Sequence, residues 1–316
     1  MYFSDVQYLS LNPQDGTVIP DSLSFTKSFS IERSGLAVVH HNGYVYLVGG
    51  FSGAVELADV QYGRVEENGQ IPKWQISPSR LNIPRSNHQL QVIKTVSGKV
   101  YLAAIAGVGQ VSNDTVHFDQ IEVAQIGENG SVGAWHICSY HLKGGRSAPA
   151  TNVVNNILYV IGGWGDLLIE DVFTDVQYAP VRDDGCPDPW STSAYHLKMP
   201  LYGHTSVAIS SKIFIVLGGN AGEGNYFNNV QYAFLRTDDS DTKPWTLDRN
   251  QFSISRYGHT SVQLNNKFIY IIGGRSREQA ADLNDIQMSR VNITRDRKST
   301  RLNSSHITPS RMPSSA

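Results

Sequence analysis

The sequence predicts an all-β fold in which a four-stranded sheet is repeated around an axis, and three observations carry this prediction. Apolar runs that end in a pair of glycines recur about every 56 residues. Each run is followed by a Val-Gln-Tyr segment or a variant of it, and then by a tryptophan. No segment has the periodicity of an amphipathic helix. A self-similar period of this length is typical of repeat proteins, and a radial array of such sheets is a β-propeller.

The first two strands of each repeat, A and B, have the clearest signals. Strand A follows an Arg-Ser/Tyr-Gly segment, whose copies begin at Arg33, Arg85, Arg146 and Arg256, with Leu201 in this slot of the remaining copy. Strand B is apolar throughout, because stacked blades cover both of its faces. The glycine pair at its end permits positive φ and a close approach of the next blade. One copy, Tyr101 to Gly107, lacks the pair.

Strands C and D complete the predicted sheet. Strand C is the Val-Gln-Tyr segment, and an Asp or Asn just before it is interpreted as a cap of the turn. An Asn-Gly or Asp-Gly pair then predicts a type I′ hairpin turn. Strand D carries Trp74, Trp135, Trp190 or Trp245. Burying an indole removes roughly 200 Å² from water, so four recurring tryptophans favour packing between blades over four ligand sites.

The order of these segments resembles the kelch family, in the Gly-Gly, Tyr, Trp form common in bacterial surface proteins. The resemblance covers about residues 3–294 and implies a kelch-type β-propeller of about six blades, with seven possible. The predicted domain is 1–295. It contains a partial first blade at 1–29, complete blades at about 31–80, 85–139, 146–194 and 202–250, and a partial blade at 256–294 without strand D. Because the chain opens in mid-blade, either strands beyond Arg295 complete the first blade or both ends are cut; we favour a propeller incomplete at its termini, lacking at least its C-terminal strands, and expect an open arc or a loosely closed ring.

The end of the chain reads differently from the repeats. Asp296–His306 resembles the translation of a sequencing-adapter oligonucleotide, as does the segment Ser310–Ala316. We therefore predict that 296–316 is a non-native disordered tail. Without it the chain is mildly acidic, which argues against a nucleic-acid partner. No apolar run is long enough to span a membrane. Cys138 and Cys186 can form a pair or remain two thiols.

Three histidines occupy one repeat position, His88, His204 and His259. Three histidines could bind a metal, but the spacing follows the repeat, so we interpret them as strand-start residues hydrogen-bonded to the backbone. The sequence predicts no catalytic residue, no metal and no cofactor.

Binding candidates come from two sources. In BTB-kelch adaptors, which these segments resemble, arginines of this slot line the mouth of the ring and contact acidic peptides. The resemblance thus implies Arg33, Arg85, Arg146 and Arg256 as binding residues, the alternative being arginines that bridge neighbouring blades. The second source is the B–C loops, because variable loops on a rigid scaffold carry recognition. They contribute the candidates Trp164, Asp166, Asn225, Tyr226 and Arg275.

These observations predict a non-catalytic interaction module that binds a protein or glycan through loops on one face. We expect a monomeric domain of a larger secreted or surface protein, with a cytoplasmic location left open. The alternative is a kelch-type carbohydrate enzyme that resembles galactose oxidase or a sialic-acid mutarotase. The former needs a tyrosine cross-linked to a cysteine beside copper, and neither Cys138 nor Cys186 is predicted near the axis. A third reading is a structural spacer without a ligand.

Overall fold

The computed structural model describes residues 2–165, 172–236, 241–293 and 300–305. Every regular element in these ranges is a β-strand, and all pairings between strands are antiparallel. Within the same ranges, no helix is long and apolar enough to cross a membrane. The predicted all-β architecture is therefore confirmed.

The strands form six successive blades. The first has β1 (Val6–Tyr8) and β2 (Ser24–Thr26). The second has β3 (Ala37–His41), β4 (Tyr44–Val48), β5 (Val60–Arg64) and β6 (Trp74–Ile76). The third has β7 (Gln89–Lys94), β8 (Val100–Ile105), β11 (Ile121–Gln125) and β12 (His136–Ile137), with a side hairpin β9 (Val108–Val111) and β10 (Asp114–His117).

The fourth blade has β13 (Ala150–Val154), β14 (Ile157–Ile161), β15 (Val176–Pro180) and β16 (Ser191–Thr192). The fifth has β17 (Thr205–Ile209), β18 (Ile213–Asn220), β19 (Tyr226–Phe234) and β20 (Thr246–Leu247). The sixth has β21 (Thr260–Leu264), β22 (Phe268–Ile272), β25 (Ile286–Ile293) and β26 (Thr300–Ser305), with a side hairpin β23 (Arg275–Ser276) and β24 (Ala281–Asp282). Five blades are thus four-stranded meanders, and the described part of the first is two-stranded.

The apolar core lies between blades rather than within them. Trp135 packs with Tyr46 of the second blade, and Trp190 packs in a cluster with Tyr101 of the third. Trp245 is 2% exposed. Trp74 is only partly buried, because it faces the two-stranded first blade, where its indole N–H donates to Lys27 O at 2.7 Å. The prediction that the tryptophans pack between blades is confirmed.

The glycine pairs allow the contact between blades that the sequence predicts. Gly49 and Gly50 have φ of 58° and 104°, and a Cβ on Gly49 would lie 2.7 Å from Arg85 O of the next blade. Gly50 N–H donates to the same carbonyl at 2.9 Å, and the equivalent bond recurs at the three following interfaces. Ala106 replaces the first glycine of the degenerate copy and keeps its positive φ, 62°. A strained alanine therefore maintains the same interface geometry there.

The first and sixth blades are in contact, so the ring closes. Tyr46 of the second blade donates its hydroxyl to Gly130 O in the C–D turn of the third, at 3.0 Å. Tyr270 of the sixth blade makes the same bond to Gly16 O of the first, at 2.6 Å. The inner half of the first blade is missing from this contact, because the described residues supply no strands A and B for that blade. Val38 of β3 and Val262 of β21, which flank that position, are 51% and 52% exposed.

Two expectations differ from the structure. The segment predicted as a disordered tail contains β26, which pairs with β25 so that Ser305 lies opposite Met288. Strand β25 would otherwise present an unpaired edge, and an extended segment downstream satisfies its backbone groups.

The C–D turns are also not type I′. Gly69 has φ of 85°, but Asn68 is not among the residues with positive φ, and Asn68 Oδ1 instead accepts the Gln70 N–H at 2.9 Å. The side chain thus stabilises a turn in which only the glycine is left-handed. Turns with two left-handed residues occur in A–B hairpins, at Asn42-Gly43, Asn155-Asn156 and Asn265-Asn266.

The two cysteines, whose pairing the sequence left open, form a disulfide. It joins Cys138, just after β12 of the third blade, to Cys186 in the C–D turn of the fourth, 48 residues away. Both residues are 2% exposed and lie in the cluster between these blades. The bond is therefore a covalent link across one blade interface.

We expect loss of this link to destabilise the domain. Closing a loop of this length restricts the unfolded chain, so Cys138→Ser with Cys186→Ser should lower the free energy of unfolding by about 2–4 kcal/mol. Urea denaturation at neutral pH, in the presence of a metal chelator, measures this loss. A double variant as stable as the oxidised wild type would contradict it.

Candidate functional site

The candidate site is the face of the ring where each strand A begins and each strand B ends. An axial cavity of ≈ 790 Å³ is lined by the five inner strands, β3, β7, β13, β17 and β21. Its lining also includes residues of this face, such as Gly35 and Gly258. Its wall mixes polar and apolar side chains and is cross-linked between blades: Gln91 donates to Thr151 Oγ1 at 2.9 Å, and the lining residue Ser206 accepts a hydrogen bond from Asn152 at 2.8 Å. The wall is therefore rigid and can hydrogen-bond a ligand.

A chain of backbone hydrogen bonds runs around the mouth of this cavity. Each N–H donates to the carbonyl of the corresponding residue in the preceding blade, from Gly258 through Gly203, Ala148 and Asn87 to Gly35, at 2.7–2.9 Å. All five residues have positive φ. The mouth is thus a fixed rim, on which the neighbouring side chains are held at defined positions.

The four slot arginines do not lie on this rim, contrary to their proposed role as binding residues. Their side chains are 0% exposed, and each is paired with an acid of its own blade, Asp59, Glu122, Asp175 or Asp285. Arg33, for example, reaches both oxygens of Asp59, at 2.6 and 2.9 Å, and also donates to Gly49 O. The guanidinium fork therefore joins strands within one blade rather than binding a ligand or bridging two blades.

The acids before strand C are partners of these arginines, not simply caps of the turn. Burial alone would raise the pKa of Asp59, but hydrogen bonds from Arg33 and Gln61 outweigh it and hold that pKa below its usual value. The pKa of Asp285 is lowered in the same way by Arg256 and Gln287. These carboxylates are ionised and already bound, so they offer no free charge to a ligand.

Two blades depart from the pattern in compensating ways. The third blade reads Gln120-Ile121-Glu122 where the second and fourth read Asp-Val-Gln, and Glu122 pairs with Arg85 from the position of the glutamine. The fifth blade has Leu201 in the arginine slot and Asn229 in the acid slot. The third blade thus keeps both charges, with the acid at a shifted position, and the fifth blade has neither. An unpaired charge at this buried position would be costly.

The three repeat histidines are buried and do not meet. His88 and His204 each lie against the first glycine of the preceding blade, with Cε1 2.9 Å from a Cβ built on Gly49 or Gly162. His259 hydrogen-bonds Thr205 Oγ1 through Nε2, at 3.0 Å. Neither ring nitrogen of His88 has a hydrogen-bond partner within the described ranges, so the expected backbone bond is not observed there. Burial lowers the pKa of His88 to about 3, so this imidazole is neutral.

Aromatic side chains form an arc on the rim, across the fourth to sixth blades. Trp164 packs against Tyr202 with ring centroids 5.8 Å apart, and Tyr202 packs against Tyr257 at 6.1 Å. Tyr226 completes the arc, 4.7 Å from Tyr257. Trp164 is 41% exposed, and the three tyrosines are partly exposed. We call these four residues the aromatic arc.

The arc is fixed by its position in the repeat. Trp164 and Arg275 directly follow a Gly-Gly pair, and each forms a β-bridge with the residue after the arginine slot, Ser147 or Tyr257. Asn220 holds the equivalent position in the fifth blade, and its amide donates to the Tyr202 hydroxyl at 2.7 Å. Burial raises the pKa of Tyr202 above its usual value, so this phenol stays neutral. The arc therefore offers aromatic surface together with the neutral hydroxyl of Tyr202.

The loop candidates are placed as follows. Trp164 and Tyr226 belong to the arc, and Arg275 lies beside it, with a guanidinium 3.7 Å from Asp282 and a side chain 57% exposed. Asn225 is exposed at the tip of the β18–β19 hairpin. Asp166 lies outside the described residues. Sequence reasoning missed Tyr202 and Tyr257, although the replacement of serine by tyrosine after the arginine slot, in two consecutive copies, was the available signal.

Comparisons with known proteins agree with this architecture. The Kelch motif model matches residues 32–62, which include β3, β4 and part of β5. A 92-residue stretch is 33% identical to a Rho GTPase-activating protein, gacHH of Dictyostelium discoideum; the match covers 29% of this chain and 6% of that protein, so the chain spans only a small part of the relative.

A solved structure titled "Structure of YjhT" superposes with a TM-score of 0.68 over 96% of this chain and 92% of its own, at 14% identity. At this identity the likeness concerns the fold alone. Together with the motif match over residues 32–62 and the repeated blade contacts, it shows that the chain folds as a kelch-type β-propeller.

Proposed function

We propose that this propeller is a non-catalytic binding domain that holds a segment of a partner protein on the aromatic arc. A kelch propeller is a fold that suits protein interaction, and the arc is the observation that favours this particular face. Tryptophan, tyrosine and arginine dominate the energetics of protein interfaces because they combine a large apolar area with a polar group. The rim holds the arc residues in place, so binding costs little ordering entropy.

The chemistry of the arc defines the segment it would take. The rings of Trp164 and Tyr202 are tilted by 30°, and Tyr257 meets Tyr202 edge-on, so together they form a continuous aromatic surface that suits an apolar or aromatic anchor side chain. Arg275 lies at one end with its guanidinium largely in solvent, which suits a carboxylate. We therefore expect a segment with an apolar anchor followed or preceded by an acidic residue. The disulfide supports placing the domain in an oxidising compartment, outside the cell or on its surface.

The carbohydrate-enzyme alternative divides into two cases. The resemblance to galactose oxidase would require a thioether between a tyrosine and a cysteine, but Cys138 and Cys186 are bonded to one another. The mutarotase-like reading needs only a few polar groups at the mouth, such as the phenols of the arc. Sugar binding or turnover is therefore kept as an outcome of the experiment that follows.

We expect Trp164→Ala to weaken binding of the selected segment while leaving the domain folded. A phage library of random 12-residue peptides is selected on the immobilised wild-type domain, and recovered peptides are measured by fluorescence anisotropy. Removing an anchor residue of this type costs about 2 kcal/mol or more, which is roughly a 30-fold rise in Kd. Phe25→Ala, at an aromatic residue that is 57% exposed and belongs to the outer strand of the first blade, is the matched control.

The same variants are tested on a glycan array and by NMR for anomer exchange of free sugars. Peptides whose affinity falls with Trp164→Ala but not with Phe25→Ala support the proposal. Peptides that bind both variants equally, or glycan binding or sugar turnover that depends on Trp164, would overturn it.

A further inference from the structure

A cluster of three potential metal ligands lies away from the aromatic arc, at the interface of the third and fourth blades. His136 is exposed on β12, two residues before Cys138, and its Nε2 lies 3.6 Å from Cys186 Sγ. The ligand atoms of His136, Cys138 and Cys186 are all within 4.8 Å of one another. Among the described residues, this is the one group of three such ligands that lies so close together.

We propose that reduction of the disulfide converts this cluster into a binding site for a divalent transition metal of the zinc type. Zinc binds thiolates at about 2.3 Å and imidazole nitrogen at about 2.0–2.1 Å in a tetrahedral arrangement. These bond lengths place sulfur and nitrogen ligands roughly 3.5 Å apart and two sulfurs roughly 3.8 Å apart. The spacing between His136 Nε2 and Cys186 Sγ, 3.6 Å, already meets the first value.

The backbone around the cluster favours this assignment. His136 lies in β12 and Cys138 directly follows this strand, and their ligand atoms lie within 4.8 Å of each other. Cys186 is held from the other blade, because its N–H donates to Asp184 Oδ1 at 3.0 Å and the Asp184 carboxylate is itself bound by Arg182 at 3.0 Å. His136 is on the solvent side, which gives a metal ion an entry path. Three protein ligands leave the fourth position open to water.

The chemistry balances with a phosphine as reductant. The phosphine gives two electrons to the sulfur–sulfur bond and takes the oxygen of a water molecule, and the two protons of that water convert the sulfurs into thiols. Metal binding then releases the two thiol protons, because the ligands are thiolates. The interface between the third and fourth blades is thus bridged covalently when oxidised and by a metal when reduced.

The experiment titrates Co²⁺, a spectroscopic substitute for zinc, into the full chain after reduction with a phosphine and anaerobic desalting. We expect one Co²⁺ per chain, with a near-ultraviolet band from thiolate-to-cobalt charge transfer and visible bands of a tetrahedral ion. Zn²⁺ should displace it. His136→Ala should lower the Co²⁺ affinity at least tenfold, whereas His196→Ala, at another exposed histidine, should leave it unchanged.

Several outcomes would overturn the proposal. These are the absence of the charge-transfer band in the reduced wild type, equal binding by the oxidised protein, and equal affinity in His136→Ala and the wild type. If reduction unfolds the chain, Zn²⁺ should restore the near-ultraviolet circular dichroism of the wild type but not that of His136→Ala. Equal recovery, or no recovery, in the two proteins would also refute the site.

Discussion

Replacing Glu122 by glutamine should lower the free energy of unfolding by about 3–5 kcal/mol, because it leaves a buried guanidinium without its counter-charge. The Arg85 and Glu122 side chains are both 0% exposed, and Arg85 Nη2 donates to Glu122 Oε1 at 2.7 Å. The carboxylate also accepts the Asn82 N–H at 2.7 Å and the Ile83 N–H at 3.1 Å. Urea denaturation with the disulfide intact measures the change.

The fifth blade supplies the compensating variant. It carries Leu201 in place of the arginine and Gln231 at the position of Glu122, and Gln231 Oε1 accepts the Lys198 N–H at 2.7 Å. We therefore expect Arg85→Leu with Glu122→Gln to be less destabilised than the two single variants together, with a coupling energy of about 1–3 kcal/mol.

Asp282→Asn is the surface control for this comparison. Its side chain is 82% exposed and its ion pair with Arg275 is solvated, so the change in stability should stay within about 0.5 kcal/mol. Strict additivity of Arg85→Leu and Glu122→Gln would show that the pair does not act as a unit.

Acid should unfold the domain, because three buried histidines must stay neutral in the folded state. Burial lowers the pKa of His88 and of His259 to about 3, with Arg85 and Arg256 adding to the effect, and that of His204 to about 4. The unfolded chain takes up these protons near pH 6.5. Stability is therefore complete above pH 6.5 and is lost as the pH falls towards the folded-state values.

The expected loss is about 1.4 kcal/mol per pH unit for each histidine, or on the order of 8 kcal/mol for the three at pH 4.5. This is comparable to the whole stability of a typical domain. Urea midpoints at pH 7.5, 6.5, 5.5 and 4.5 measure the slope. Asp59 and Asp285, whose pKa values are lowered, contribute only at more acid pH, below their usual range.

The second blade indicates the variant that isolates one histidine. Leu36 occupies the corresponding slot there, so His88→Leu should remove about a third of the slope between pH 6.5 and 4.5. His196→Ala, at an exposed position, should leave the slope unchanged. A profile that is flat down to pH 4.5 would show that the buried imidazoles accept protons without unfolding.

The sequence was most informative about features that every blade repeats. The Gly-Gly pair, Val-Gln-Tyr strand and tryptophan each reflect a local need, such as a positive φ, a strand buried on both faces, or an indole that fills the next interface. Each of these features can be read within one repeat, and its recurrence at the same position in the other repeats supports the interpretation. This explains why the strands and the packing of Trp135, Trp190 and Trp245 followed from the sequence.

Partners that lie far apart along the chain were harder to predict. The pairing of the slot arginines with the acids before strand C was missed, although the chain contains its signature. In the blade of Arg85 the acid and the glutamine have exchanged positions, as Gln120 and Glu122, and in the fifth blade Leu201 accompanies Asn229. Each residue alone looked like a binding group or a turn cap, and only the distance between them shows that their charges cancel.

By itself, the sequence determined the fold class, the repeat and the face on which recognition is proposed, because these depend on patterns that recur within about 56 residues. Only the tertiary structure decided which polar groups face solvent and which neutralise one another. It also decided that Cys138 pairs with Cys186, and that Trp164, Tyr202 and Tyr257, from three blades, form one arc. The physical reason is that ring closure sets distances between blades, and no spacing along a single chain encodes them directly.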